Sequence, residues 1–124
     1  MYNEKVLKEF SAPQNTGALK NANGIGTVGN ASCGDIMKIY LLINKDGIIE
    51  DASFETFGCT AAIATASAAT RMVIGLNIQA ALAVTNKRVV EELGGLPSQK
   101  LHCSVLAEEA IKAAIDDYFQ RVKE

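Results

Sequence analysis

The sequence predicts an α+β domain in which a three-stranded antiparallel sheet is covered on one face by helices. Three observations carry that expectation. Ile36 to Ile43 and Ile48 to Phe57 are rich in β-branched and aromatic residues and flank Asn44-Lys45-Asp46-Gly47, where Asp-Gly supplies the positive-φ positions a tight hairpin turn demands. A further strand-like stretch, Gly26-Thr27-Val28-Gly29, precedes them and completes a meander. Beyond Phe57 the pattern becomes helical, and only one face of such a sheet can be polar, so those helices must cover the other.

Taken in order, Tyr2 to Phe10 sets Val6, Leu7 and Phe10 at helical spacing between charged residues, a short docking helix stopped near Ser11-Ala12-Pro13. Gln14 to Gly26, rich in Asn and Gly, reads as a loop. After the meander come helices over Thr60 to Ile74, ended by Gly75, over Ile78 to Ala83, and over Thr85 to Leu93, with Thr85 as N-cap and Gly94-Gly95 as the stop. The last runs from Cys103 to Val122. Its Val105, Leu106, Ala110, Ala113, Ala114 and Tyr118 form a stripe toward the sheet, while Glu108, Glu109, Lys112, Asp116, Asp117 and Arg121 face water. Val73, Ile74, Leu76 and Ile78 suit core by default and a homodimer contact as the alternative. Residues 1–124 show no repeat, linker or low-complexity run and read as a single domain.

At 124 residues one core is enough, and folding should bury about two thirds of the unfolded chain's surface. With 12 basic against 14 acidic residues the net charge is −2, which leaves no electrostatic footprint for nucleic acid or an anionic membrane surface. The apolar run Ala61 to Leu76 is interrupted by Arg71 and falls short of the roughly 20 residues a membrane span needs. Charge in Met1-Tyr2-Asn3-Glu4-Lys5, where a signal peptide would be apolar, points to a cytoplasmic protein. In that reducing compartment three cysteines suit metal binding or catalysis better than disulfides.

The chemistry gathers at element ends. The only histidine, His102, stands beside Cys103; Cys33 falls in the strand-to-strand turn before Asp35; Cys59 opens or caps the Thr60 helix. A lone cysteine is usually a small buried hydrophobe. Here the contexts Cys-Gly-Asp, Gly-Cys-Thr and His-Cys-Ser are polar and turning, which favours one shared site. The positive end of a helix dipole favours thiolate at Cys59 and Cys103. Three thiolates together repel, and a soft metal removes that cost: zinc, Cu(I) or an iron-sulfur cluster. His102 is a candidate ligand by its position. Asp35, taken alone, is more often a turn or capping residue than a ligand. The paired Cys-x-x-Cys knuckles of structural zinc sites are missing, and ligands scattered over loop tips suit a site that accepts and releases its metal.

With these residues in place the chain resembles the IscU/NifU-type iron-sulfur cluster assembly scaffolds over nearly its whole length. Gly29-Asn30-Ala31-Ser32-Cys33-Gly34-Asp35 resembles the family's Asn-Pro-x-Cys-Gly-Asp loop, Phe57-Gly58-Cys59 its Phe-Gly-Cys, and Lys100-Leu101-His102-Cys103-Ser104 its Lys-x-His-Cys-Ser segment. The resemblance implies a SufE/NifU-like sandwich, with Cys33, Cys59 and Cys103 as cluster ligands and His102 or Asp35 completing the set. It also implies Cys103 as acceptor of persulfide sulfur from a cysteine desulfurase of the IscS/NifS type, and Asp35 as a source of cluster lability. The implied function is assembly of a [2Fe-2S] cluster from iron and sulfur and its transfer to apo-protein acceptors, by a scaffold without turnover of its own. Zinc in the resting form is compatible with the same residues.

The chain departs from the family pattern at Ala31, commonly Pro, and Thr60, commonly Gly. Leu96-Pro97-Ser98-Gln99-Lys100 stands where relatives served by an Hsp70-type chaperone carry Leu-Pro-Pro-Val-Lys, which leaves that partner open. Two other classes compete. A zinc-stabilised interaction domain would use the same ligands. A thiol enzyme would need His102 to activate a cysteine; adjacent residues such as His102 and Cys103 ordinarily point their side chains apart, which leaves Cys33 or Cys59 as its partner.

Overall fold

A computed structural model describes residues 2–30 and 34–123 of the chain. Its elements run α1 (Glu4–Ser11), β1 (Gly24–Asn30), β2 (Asp35–Ile43), β3 (Ile49–Phe57), α2 (Thr60–Val73), α3 (Ile78–Leu82), α4 (Asn86–Glu92) and α5 (Leu101–Lys123), with a 3₁₀ turn over Ser98–Lys100 leading into α5. The strands form the expected antiparallel meander in the order β1-β2-β3.

The hairpin between β2 and β3 is tighter on side-chain grounds than its sequence suggests. Asn44 Oδ1 accepts from the Asp46 and Ile48 backbone N–H groups, and the Asn44 carbonyl accepts from Gly47 N–H at 3.0 Å. Only Gly47 then needs positive φ, at +79°; Asp46 does not. Along β2 the two-residue period turns Asp35, Met37, Ile39, Leu41 and Ile43 inward, all buried, and leaves Ile36 exposed. The register pairs Ile39 with Phe54 and Leu41 with Ala52, so these four meet in the core. The segment expected as a plain loop does more than connect: Asn15 and Gly17 exchange backbone hydrogen bonds with Phe54 along the outer edge of β3, and β1 already begins at Gly24.

Helix α2 is buried nearly all round because its side chains are small. Ala61, Ala62, Ala64, Ala66, Ala68 and Ala69 are fully enclosed, and the hydroxyls of Thr65 and Thr70 are satisfied by the carbonyls of Ala62 and Ala66. Helix α5 lies across β1 at a distance set by absent side chains. A Cβ on Gly24 would stand 2.5 Å from the Ala114 carbonyl oxygen, and one on Gly26 2.4 Å from the Ala110 carbonyl oxygen. Helix α5 also touches α2, α3 and α4, so its buried arc is wider than one stripe. Leu106, Ala110 and Ala114 are buried as expected, together with Ala107, Ile111 and Ile115; Val105, Ala113 and Tyr118 lie at the margin. Two residues expected to face water are instead used as caps: Glu108 accepts from Asn86 N–H at 2.8 Å and Asp117 from Ile25 N–H at 2.9 Å.

Helix α1 begins two residues later than its apolar spacing suggests because Asn3 caps it. Asn3 Oδ1 accepts from Val6 N–H, while its Nδ2 donates to the Gly95 carbonyl. Val6 enters the core, and Glu9 is held by the Arg71 guanidinium and the Ser67 hydroxyl; Arg71 also reaches Glu92 at 2.8 Å. Of the apolar stripe after α2, Val73 is core, Leu76 and Ile78 pack against it, and Ile74 is exposed.

Candidate metal centre

Four side chains from three elements meet at one end of the sheet. Asp35 is the first residue of β2 and shares the inward face with Met37 and Ile39, which carries its carboxylate into the protein at 5% exposure. Cys59 occupies the N-cap of α2 in an extended conformation and makes no capping bond to that helix, so its sulfur is free to face α5. His102 and Cys103 are the second and third residues of α5.

Cys103 Sγ is the hub. It lies 3.6 Å from Cys59 Sγ, 3.5 Å from His102 Nε2 and 3.7 Å from Asp35 Oδ2, and His102 Nε2 lies 3.3 Å from Asp35 Oδ2. Asp35, His102 and Cys103 thus offer one donor atom each within 4.8 Å of one another, with Cys59 alongside. The adjacent pair converges, contrary to the expectation that neighbours point apart. Side chains in a helix lean toward its N-terminus, which here is the end of α5 where Asp35 and Cys59 lie. Cys33 lies outside the described residues, and its place in the strand-to-strand turn is an expectation only.

Two further expectations change. Cys103 is fully buried, a core position and not a loop tip, and Asp35 belongs to a strand. Burial and the neighbouring Cys59 thiol push Cys103 well above the ordinary cysteine range, so without a metal the helix dipole does not win and the thiol keeps its proton. A metal would have to displace it. Behind the site, the Thr65 hydroxyl reaches the Cys103 carbonyl at 3.4 Å and ties α5 to α2.

Sequence reasoning names Lys100 only within its motif and is silent on Tyr2. Both belong to the surroundings of the thiols. The Lys100 ammonium is held charged to higher pH first by Cys59 and then by Tyr2, and the Tyr2 phenol is raised by burial and by Cys59. Nothing local marked Tyr2, which reaches the site only because α1 docks. A groove of about 510 Å³ between α1, α2 and α4 is lined by Lys5, Lys8, Glu9 and Arg71 among others and shares no residue with the cluster.

Sulfur, imidazole and carboxylate donors packed at such distances could hold a soft or borderline metal ion. The chain belongs to the NifU-like N-terminal domain family, whose pattern it matches over residues 1–124. It is 54% identical over 121 residues to the iron-sulfur cluster assembly scaffold protein IscU 1 of Archaeoglobus fulgidus, covering 98% of this chain and 78% of that protein. With the protein of that name from Aquifex aeolicus it shares 50% over 121 residues, covering 97% and 77%, and with that of Escherichia coli 48% over 120 residues, covering 94% and 93%. Solved structures bear out the SufE/NifU-like sandwich. A scaffold protein for the SUF system from Fervidobacterium islandicum superimposes with a TM-score of 0.79 at 20% identity, covering 92% of this chain and 96% of its own. The N-terminal part of a NifU-like protein from Brucella abortus gives 0.74 at 23% identity, with 96% and 94% covered. No helix among the described residues is long and apolar enough to cross a membrane.

Proposed function

We propose that this protein is a scaffold on which [2Fe-2S] clusters are built from iron and persulfide sulfur and from which they pass to apo-proteins. The observation that carries this reading is the convergence of Asp35, Cys59, His102 and Cys103 at one end of the sheet, in a family whose relatives bear the scaffold name. Iron, sulfide and the finished cluster are cargo. The chain's own part is to hold them and let them go.

In this reading Cys33, Cys59 and Cys103 are the thiolate ligands, with His102 or Asp35 as the fourth. Cys103 accepts sulfur: once it has given up its proton, its thiolate attacks the outer sulfur of a desulfurase persulfide, the sulfur-sulfur bond breaks, and the desulfurase cysteine leaves as a thiolate that can take up that proton. Asp35 contributes lability, because a hard carboxylate oxygen is a poorer partner for iron than a thiolate. The desulfurase is of the IscS/NifS type, an Hsp70-type chaperone stays an open partner, and the setting is cytoplasmic.

Zinc suits the resting site. A tetrahedral ion with bonds of about 2.0–2.3 Å spaces its donors roughly 3.3–3.8 Å apart. Asp35 Oδ2, His102 Nε2 and Cys103 Sγ lie 3.3 to 3.7 Å from one another, and Cys59 Sγ lies 3.6 Å from Cys103 Sγ. Anaerobic mixing with ferrous iron, cysteine and a cysteine desulfurase tests the function. Charge-transfer absorption with near-equal iron and acid-labile sulfide is expected, and Cys59→Ala and Cys103→Ala each weaken it. A colourless protein that holds one zinc and never exchanges it for iron would favour a zinc-stabilised interaction domain instead.

A further inference from the structure

The geometry points to Gly58 as the residue that positions the Asp35 carboxylate, by leaving empty the space a side chain would fill. The two carboxylate oxygens have different surroundings. Oδ2 faces His102 Nε2 at 3.3 Å and Cys103 Sγ at 3.7 Å. Oδ1 is turned to Gly58: a Cβ there would stand 2.8 Å from Oδ1, closer than such atoms approach, and a tight 3.2 Å from Asp35 Cγ. Glycine at this position is not a backbone requirement. Gly58 is absent from the residues with positive φ, unlike Gly34, Gly47 and Gly75, so its conformation is open to any residue. What the site needs there is room.

A buried carboxylate has few ways to yield. Asp35 is 5% exposed and anchored in β2, so a Cβ at position 58 drives its end group to rotate, and a rotation that clears Oδ1 takes Oδ2 away from His102 and Cys103. The same Cβ would meet Ala62 Cβ at 2.9 Å, a contact on the rigid first turn of α2. Gly58 therefore acts on the metal centre through Asp35, although it offers no donor atom itself. This inference rests on the reading of Asp35 as part of the metal site.

The test uses zinc alone as probe and measures its release to a chromophoric chelator. The lability argued for Asp35 concerns iron; zinc is a borderline ion that takes carboxylate oxygen as a donor, so Asp35→Ala, which removes that donor outright, is expected to release zinc about tenfold faster. Gly58→Ala combined with Ala62→Gly, which clears the second contact, is expected to match it, with Ala62→Gly alone as control. Adding Asp35→Ala to that pair should change nothing further. If the effects multiply, or if the Gly58→Ala, Ala62→Gly pair releases zinc like its control while Asp35→Ala is fast, Gly58 has no positioning role. An unchanged rate in Asp35→Ala itself overturns the reading of Asp35, and this inference with it. Thermal melts cover the case of a variant that folds poorly: Gly58→Ala should lose less melting temperature in an Asp35→Ala background than in the wild type, and equal losses would again refute the role.

Discussion

Cys59 Sγ and Cys103 Sγ stand 3.6 Å apart, and the second of them is fully buried with its proton held. Two thiols this close cannot both ionise cheaply, and that has a consequence for the empty protein. Below about pH 8.5 the unfolded chain and the folded protein both carry the Cys103 proton, and the stabilisation is fully present. Above it the unfolded chain loses a proton that the folded protein keeps, so stability falls as pH rises. The difference in melting temperature between wild type and Cys103→Ala, both metal-free, should shrink between pH 7 and pH 10. A constant difference would contradict the buried, protonated thiol.

Loading the site should reverse that balance. The ion replaces protons and joins Asp35, His102 and the two thiols, which the folded state alone brings together. Zinc at a hundred times its dissociation constant adds about 2.7 kcal/mol, and the melting temperature should rise by about 10 °C. Identical melts of metal-free and zinc-loaded protein would refute this.

Arg71 fastens the N-terminal helix. Its guanidinium bridges Glu9 on α1 and Glu92 on α4; Glu9 is the more enclosed partner, with 13% of its side chain exposed against 42% for Glu92. Arg71 is itself nearly a third exposed, so solvent screening limits the effect. Arg71→Ala should cost about 1 kcal/mol in urea denaturation and Glu92→Ala under about 0.5 kcal/mol. A larger loss from Glu92→Ala than from Glu9→Ala would show that the α1 contact is not the tighter one.

Gly26→Ala should be among the most damaging single changes outside the site. Its Cβ would stand 2.4 Å from both the Ala110 carbonyl oxygen and the Ala114 amide nitrogen, so backbone must move against backbone. A loss of about 3 kcal/mol or more is expected by denaturation, whereas Gly17→Ala meets no atom within 4 Å and suffers mainly from its positive φ. Comparable stability of Gly26→Ala and wild type would mean that α5 does not rest on bare strand.

How much of this was legible in the sequence depends on how local each signal is. The β2–β3 hairpin was, because Asn44 to Gly47 carries its own turn chemistry, and so was α2, whose end Gly75 marks at φ +91°. Cys59 as N-cap and the α5 start near Cys103 followed from spacing to within two residues. The arc of α5 did not, since Ala107 and Ile111 are buried by a helix packed on both sheet and helices, and a stripe drawn for one partner misses the others. Nor did the depth of Cys103 or the approach of Tyr2. Both follow from contacts across the chain, Asp35 to Cys103 spanning 68 residues, and no local pattern encodes them.

The bare backbone of β1 gives α5 something like a ratchet tooth. Gly24 and Gly26 receive the carbonyls of Ala114 and Ala110, and Cys103 lies eleven residues before Ala114 on the same helix, about 16 Å along its axis. A helix seated one residue out of step would carry both sulfur and imidazole about 1.5 Å along that axis, enough to break the spacing a single ion requires. The alignment of the metal centre is therefore kept partly by two residues that never approach it, and damage to them should surface as altered metal handling before the fold itself gives way.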